Sequence, residues 1–162
     1  KNDDPIIARQ VSVAAVKYMV LRQSLGSDIV FDPEKSLSLD GDSGPYLQYA
    51  LVRAHSILRT AAAVKKNAAD TILIEEAPDT PYEISRLLTR FPRILSQAET
   101  LLAPHILTTY LTELAGAWNS FYAKERIVGG EYEAHKLSLA HAFILTMHNG
   151  LTLLGIPTPE KM

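Results

Sequence analysis

The chain has 162 residues and a mass of 17.9 kDa, with 47% hydrophobic and 21% charged residues, enough for one domain with an ordinary core and too apolar for wholesale disorder. It holds no cysteine, which excludes disulfides, thiolate zinc sites and cysteine nucleophiles and makes a reducing setting such as the cytoplasm the expectation. A net charge of −2 argues against indiscriminate nucleic-acid binding, which depends on neutralising phosphates, and no apolar run approaches the ~20 residues of a membrane span.

The chain starts without Met and enters helix-like sequence at once, so it is expected to be a soluble segment of a longer polypeptide. Asp4 is a good N-cap, and Pro5 suits the first helical position, where a missing N–H costs nothing. Ile6, Ile7, Val11, Ala14, Ala15, Tyr18 and Leu21 then recur at helical spacing until Gly26. Residues 27–43 contain Pro33, Gly41 and a short β-prone piece, Ile29 to Phe31, and are expected to form an irregular link. Charge changes sign across this boundary: residues 28–42 carry five acids and one lysine, whereas 44–66 carry Arg53, Arg59, Lys65 and Lys66 and no acid.

A second helix is predicted from Pro45 to Lys66, with Leu47, Ala50, Leu51, Ala54, Ile57, Leu58 and Ala61 inward. It also sets Tyr46, Tyr49, Arg53 and Ser56 on one stripe, because residues three and four apart share a helix face. A polar loop follows from Asn67 to Thr80, then a short helix from Tyr82 to Phe91 ended or kinked by Pro92, then another from Arg93 to Leu102. Pro104 opens a core helix with Leu107, Tyr110, Leu111, Leu114, Trp118, Phe121 and Tyr122 on its apolar stripe. Gly129 and Gly130 break the chain, and a last helix runs from Glu131 to Leu154 with Leu137, Ala140, Ile144, Met147, Leu151 and Leu154 inward. The pattern is an all-α helical bundle of five to six helices with mostly antiparallel neighbours, in which residues 1–43 hold the first helix and the link, and 44–162 the main bundle.

Little here carries catalysis. No Gly-rich phosphate loop or nucleophile elbow is present, and no two of His55, His105, His135, His141 and His148 stand four apart as a helical metal pair requires. The paired acids Glu75–Glu76 and Glu131–Glu133 read as solvated surface, so no catalytic residue and no metal site is expected. What remains is aromatic and basic: Tyr46, Tyr49 and Arg53 on the second helix, and Trp118, Asn119, Phe121 and Tyr122 on the core helix. These are either core filler with hydroxyls at the rim, or flat faces on which unpaired bases stack beside an arginine for phosphate or base edges. Periodicity leaves both open.

Three blocks, "GPYLQYALVRAHSILR" (44–59), "PHILTTYLTELAGAWNSFY" (104–122) and "NGLTLLGIPTPEKM" (149–162), in this order and near these separations, resemble the C-terminal domain of arginyl-tRNA synthetases across essentially the whole chain. The resemblance implies an all-α, DALR-type anticodon-binding domain that holds the anticodon stem-loop of arginine tRNA. The catalytic domain of such an enzyme, elsewhere in the same polypeptide, would use ATP with Mg to charge that tRNA. Its motifs do not occur here, so this chain alone should need no cofactor and catalyse nothing.

Carried over by the resemblance, Tyr49 and Arg53 match a Tyr and Arg that face the anticodon loop, and Tyr122 an aromatic that stacks on anticodon bases. Met162 matches a terminal residue whose side chain and carboxylate reach the same pocket, where the carboxylate would accept a hydrogen bond from a cytosine amino group at the middle anticodon base. Tyr46 and Asn119 join by proximity. Departures from the family pattern are the absence of the letters Asp-Ala-Leu-Arg, Lys136 where an arginine is common, and Ala123 where an asparagine is frequent. Expected partners are arginine tRNA, the chain's own catalytic domain and other synthetase or scaffold proteins, with no membrane. The alternative is a helical protein-interaction module whose aromatic stripe is core, whose tyrosine faces a partner helix and which binds no RNA.

Overall fold

The structure, a computed structural model, describes residues 4–30, 32–64 and 77–162. Seven helical segments occupy these residues, with no strand among them: α1 Pro5–Leu21, α2 Pro33–Ser36, α3 Gly44–Val64, α4 Glu83–Leu88, α5 Phe91–Thr100, α6 Pro104–Lys124 and α7 Glu133–Leu153. The expectations placed on Phe31, Lys65, Lys66, Asn67, Glu75 and Glu76 lie outside the described residues.

Local chemistry sets most boundaries. The Asp4 carboxylate accepts the Ile6 N–H at 3.0 Å, and Pro5 follows it as the first helical residue. The same grammar repeats at α2, where Asp32 accepts from the N–H groups of Glu34 and Lys35 and Pro33 opens the turn. The link expected to be irregular therefore contains one helical turn, which brings the helical segments to seven. Ser43 starts α3: its hydroxyl accepts the Tyr46 N–H at 3.0 Å and donates to the Ser38 carbonyl. The break between α4 and α5 falls at Thr89 and Arg90, ahead of Pro92, because a proline within the first turn of α5 forfeits no helical hydrogen bond.

α3 packs against α1, α6 and α7 and forms the middle of the bundle. Leu47, Ala50, Leu51 and Ala54 of α3 meet Leu111, Leu114 and Trp118 of α6 and Ala140, Phe143, Met147 and Leu151 of α7, all of them buried in one cluster. The Trp118 ring stacks on Phe143 with centroids 4.6 Å apart and planes 12° from parallel. Gly44 lies so close to the Ala14 carbonyl that a side chain there would collide with backbone, which is how α1 and α3 approach each other. The C-terminal tail is strapped to this frame by Gln48, whose amide donates to the Pro157 carbonyl at 2.7 Å, and by Lys17, which donates to the Gly155 carbonyl at 2.6 Å.

Candidate nucleic-acid interface

α3 and α6 lie side by side, and their outer surfaces bring together five of the six sequence-selected residues. The Arg53 guanidinium carbon sits 4.3 Å from the Tyr122 ring centroid and 5.5 Å from that of Tyr49. Arg53 Nη1 donates to Asn119 Oδ1 at 3.4 Å, and Asn119 Nδ2 donates to the Tyr46 hydroxyl at 3.1 Å. The chain Tyr46–Asn119–Arg53 therefore fixes the guanidinium against two rings, each such cation–ring contact being worth about 0.5–2 kcal/mol according to how dry it is.

Exposure separates two roles that periodicity merged. Trp118 is fully buried and Phe121 is 6% exposed, whereas Tyr49 is 36% and Tyr122 40% exposed. The first pair is core; the second turns ring surface outward. Beside them opens a groove of about 610 Å³ lined by Tyr49, Arg53, Ser56, Tyr122, Glu125 and Arg126, among others. Flat rings, a planar cation with five donors and hydroxyls line one surface, a donor set suited to unpaired bases and phosphates.

Met162 is half-buried and is not among the described residues lining that groove. The tail leading to it is held on α7 by the Thr158 hydroxyl, 3.2 Å from His148 Nδ1. It runs close enough to α3 for Glu160 to act on His55, whose pKa is lowered by burial and by Arg59 against the upward pull of Glu160. Sequence reasoning missed Glu125 and Arg126 as groove residues. The available signal was their position in the run Lys124 to Val128, which must leave α6 directly after Tyr122 and turn back at Gly129. Among the described residues no group of three or more His, Asp and Glu is placed to hold a metal ion, and no helix is long and apolar enough to cross a membrane.

Comparison with known proteins bears on this surface. The DALR anticodon binding domain family matches residues 47–162. The arginine–tRNA ligase of Cutibacterium acnes is 38% identical over 167 residues, a stretch covering 96% of this chain and 30% of that protein. That of Pyrococcus furiosus is 35% identical and covers 96% of this chain and 26% of its own length. The chain thus spans less than a third of these relatives. Among solved structures, Thermus thermophilus arginyl-tRNA synthetase matches with a TM-score of 0.81 and 35% identity over 99% of this chain and 28% of its own. Arginyl-tRNA synthetase from Plasmodium falciparum, at 23% identity, shares the fold with a TM-score of 0.82 over 99% of this chain and 29% of its own.

Proposed function

The chain belongs to the DALR anticodon binding domain family, and from that premise we propose that it binds the anticodon stem-loop of an arginine tRNA as one domain of a longer, cytoplasmic arginine–tRNA ligase. The observation that carries the reading is the Arg53 guanidinium held between two outward-facing rings, Tyr49 and Tyr122. Bases unstacked from the anticodon loop lie on those rings, and Arg53 donates to a phosphate or base edge. Asn119 and Tyr46 orient Arg53. The Met162 side chain, which does not line the groove, is assigned a separate contact with the middle anticodon base from the tail that runs beside α3. Activation of arginine with ATP and Mg belongs to a catalytic domain elsewhere in the polypeptide, and this domain supplies position and discrimination.

The alternative, a protein-interaction module with a core aromatic stripe, a tyrosine facing a partner helix and no RNA, draws no support from the family match, which is to an anticodon binding domain. Titrating arginine tRNA into the Tyr122→Ala variant tests the site. Loss of one stacking platform is expected to weaken binding by about 1–3 kcal/mol, roughly 5- to 150-fold, with helicity and melting unchanged. Wild-type affinity in that variant would overturn the assignment.

A further inference from the structure

A carboxylate on the wall of a groove meant for a polyanion demands a counter-charge. Glu125 lines the groove beside Tyr122 and Arg126. Behind it, from the first turn of α7, Lys136 is only 4% exposed and brings its Nζ to 2.7 Å from Glu125 Oε2. The same ammonium donates to the Arg126 carbonyl at 3.3 Å. Tyr82 braces the pair from the opposite side: its hydroxyl donates to Glu125 Oε2 at 3.4 Å, and its ring packs edge-on against Phe121 and stacks on His135. Burial by itself would push the Lys136 pKa down, but the Glu125 carboxylate and the Tyr82 hydroxyl outweigh it and hold it above the ordinary lysine value. Lys136 is therefore charged in the folded chain.

The segment under Lys136 is pinned at several points. Glu125 leaves α6 in an extended conformation, and Ile127 is buried in the core. Gly129 adopts φ +69°, and its N–H donates to Glu133 Oε2 at 3.0 Å. Gly130 lies against the Arg126 carbonyl with no room for a Cβ. The Arg126 backbone is thus fixed while its side chain stays exposed on the groove, with Nε donating to the Val128 carbonyl at 3.4 Å.

We propose that Lys136 is a positioning residue for the RNA site. It neutralises Glu125 and clamps the Arg126 carbonyl, so that residues 125–128 form a second wall of the groove and present the Arg126 guanidinium to a phosphate of the bound RNA. The inference rests on the groove being the anticodon-loop site. A phosphate contact positions without reading sequence, so Arg126 should act alike on every tRNA, whereas base-edge contacts from Arg53 should not.

The test is a set of titrations with arginine tRNA, and with the same tRNA carrying a changed middle anticodon base, across a range of salt. In Arg126→Gln, affinity for both RNAs is expected to fall by the same factor, and the log–log salt slope to drop by about one. Lys136→Met should lose the same increment of slope, and Lys136→Arg should restore it. Should Lys136→Met fail to fold, the double variant Glu125→Gln/Lys136→Met removes both charges together and is expected to lose the increment as well. A wild-type slope in Arg126→Gln, in folded Lys136→Met or in the double variant would overturn the proposal, as would a Lys136→Arg variant that keeps the slope of Lys136→Met. Tyr122→Ala measured in parallel separates the two failures. If it loses binding while Arg126→Gln and Lys136→Met behave as wild type, only the second wall is wrong; if it binds as wild type, the groove itself is misread.

Discussion

Trp118 and Tyr122 stand four residues apart on α6, on the same stripe by helical geometry, yet one is fully buried and the other 40% exposed. The difference lies in what each meets. At the level of Trp118, α7 supplies the Phe143 ring. One turn later the chain leaves the helix at Glu125, and α3 supplies not an apolar side chain but the Arg53 guanidinium. Helical period fixes which face a residue is on; it does not say what the neighbouring helix sets opposite. An aromatic at the end of a core helix can therefore be a surface, and its role is decided by a residue far away in sequence.

Removing the inner ring should have the largest effect. Trp118→Ala deletes a fully buried indole and is expected to cost about 3–5 kcal/mol of stability, read by denaturant melting. Trp118→Phe should cost much less, since the buried indole Nε1 finds no hydrogen-bond partner among the described residues, so no polar contact with them is lost. A Trp118→Ala cost no larger than that of a surface change would mean that the inner face is not the core described here.

Alkaline pH tests the inner side of α6 by a different route. Burial pushes Tyr110 up to about 12, and its hydroxyl donates to the Leu87 carbonyl at 3.0 Å. The Lys136 pKa is raised too, its interactions with Glu125 and Tyr82 exceeding the downward effect of burial. Both groups keep their protons to higher pH in the folded chain than in the unfolded one. Their stabilisation is complete below about pH 10 and is lost as pH rises through the folded values. Melting temperature should stay flat on that account until about pH 10 and then fall, with tyrosinate absorbance tracking the loss.

At the outer ring the balance inverts. Tyr122→Ala is expected to change stability by less than about 1 kcal/mol, as a partly exposed residue should, while RNA binding falls as described. If melting drops as far as in Trp118→Ala, the distinction between the two faces fails. The smallest expected effect is that of Arg53→Lys, which keeps the charge but loses the planar fork that lies on the rings, weakening RNA binding by roughly two- to fivefold.

Much of the bundle was legible because its punctuation is chemical. Asp4–Pro5, Pro104 and Gly129–Gly130 each mark a boundary that the structure keeps to within a few residues, and the stripe of Tyr46, Tyr49, Arg53 and Ser56 lies along one side of α3 as its spacing requires. The turn at α2 was missed because four residues cannot show a period, although Asp32–Pro33 carried the same start signal as Asp4–Pro5. α7 was half-read: Leu137 and Ile144 are only partly buried, whereas Leu139 and Phe143 are core, because α3, α4 and α6 all pack on this helix and several of its faces face inward. The Lys136–Glu125 pair behind the second wall was illegible for a tertiary reason. Lys136 reads as an ordinary surface lysine until α7 folds it beneath Glu125, and nothing local to either residue announces the pair.

The most direct measurement is a titration of the wild-type chain at near-physiological salt with arginine tRNA and with the same tRNA altered only at the middle anticodon base. Tighter binding to the unaltered tRNA is expected, with a difference between the two that persists as salt rises, since bases stacked on rings and read by a clamped guanidinium do not depend on phosphate attraction alone. Equal affinity for both, vanishing together as salt is raised, would contradict that expectation and leave the outer face of α3 and α6 as a weakly attractive surface with no power to read a base.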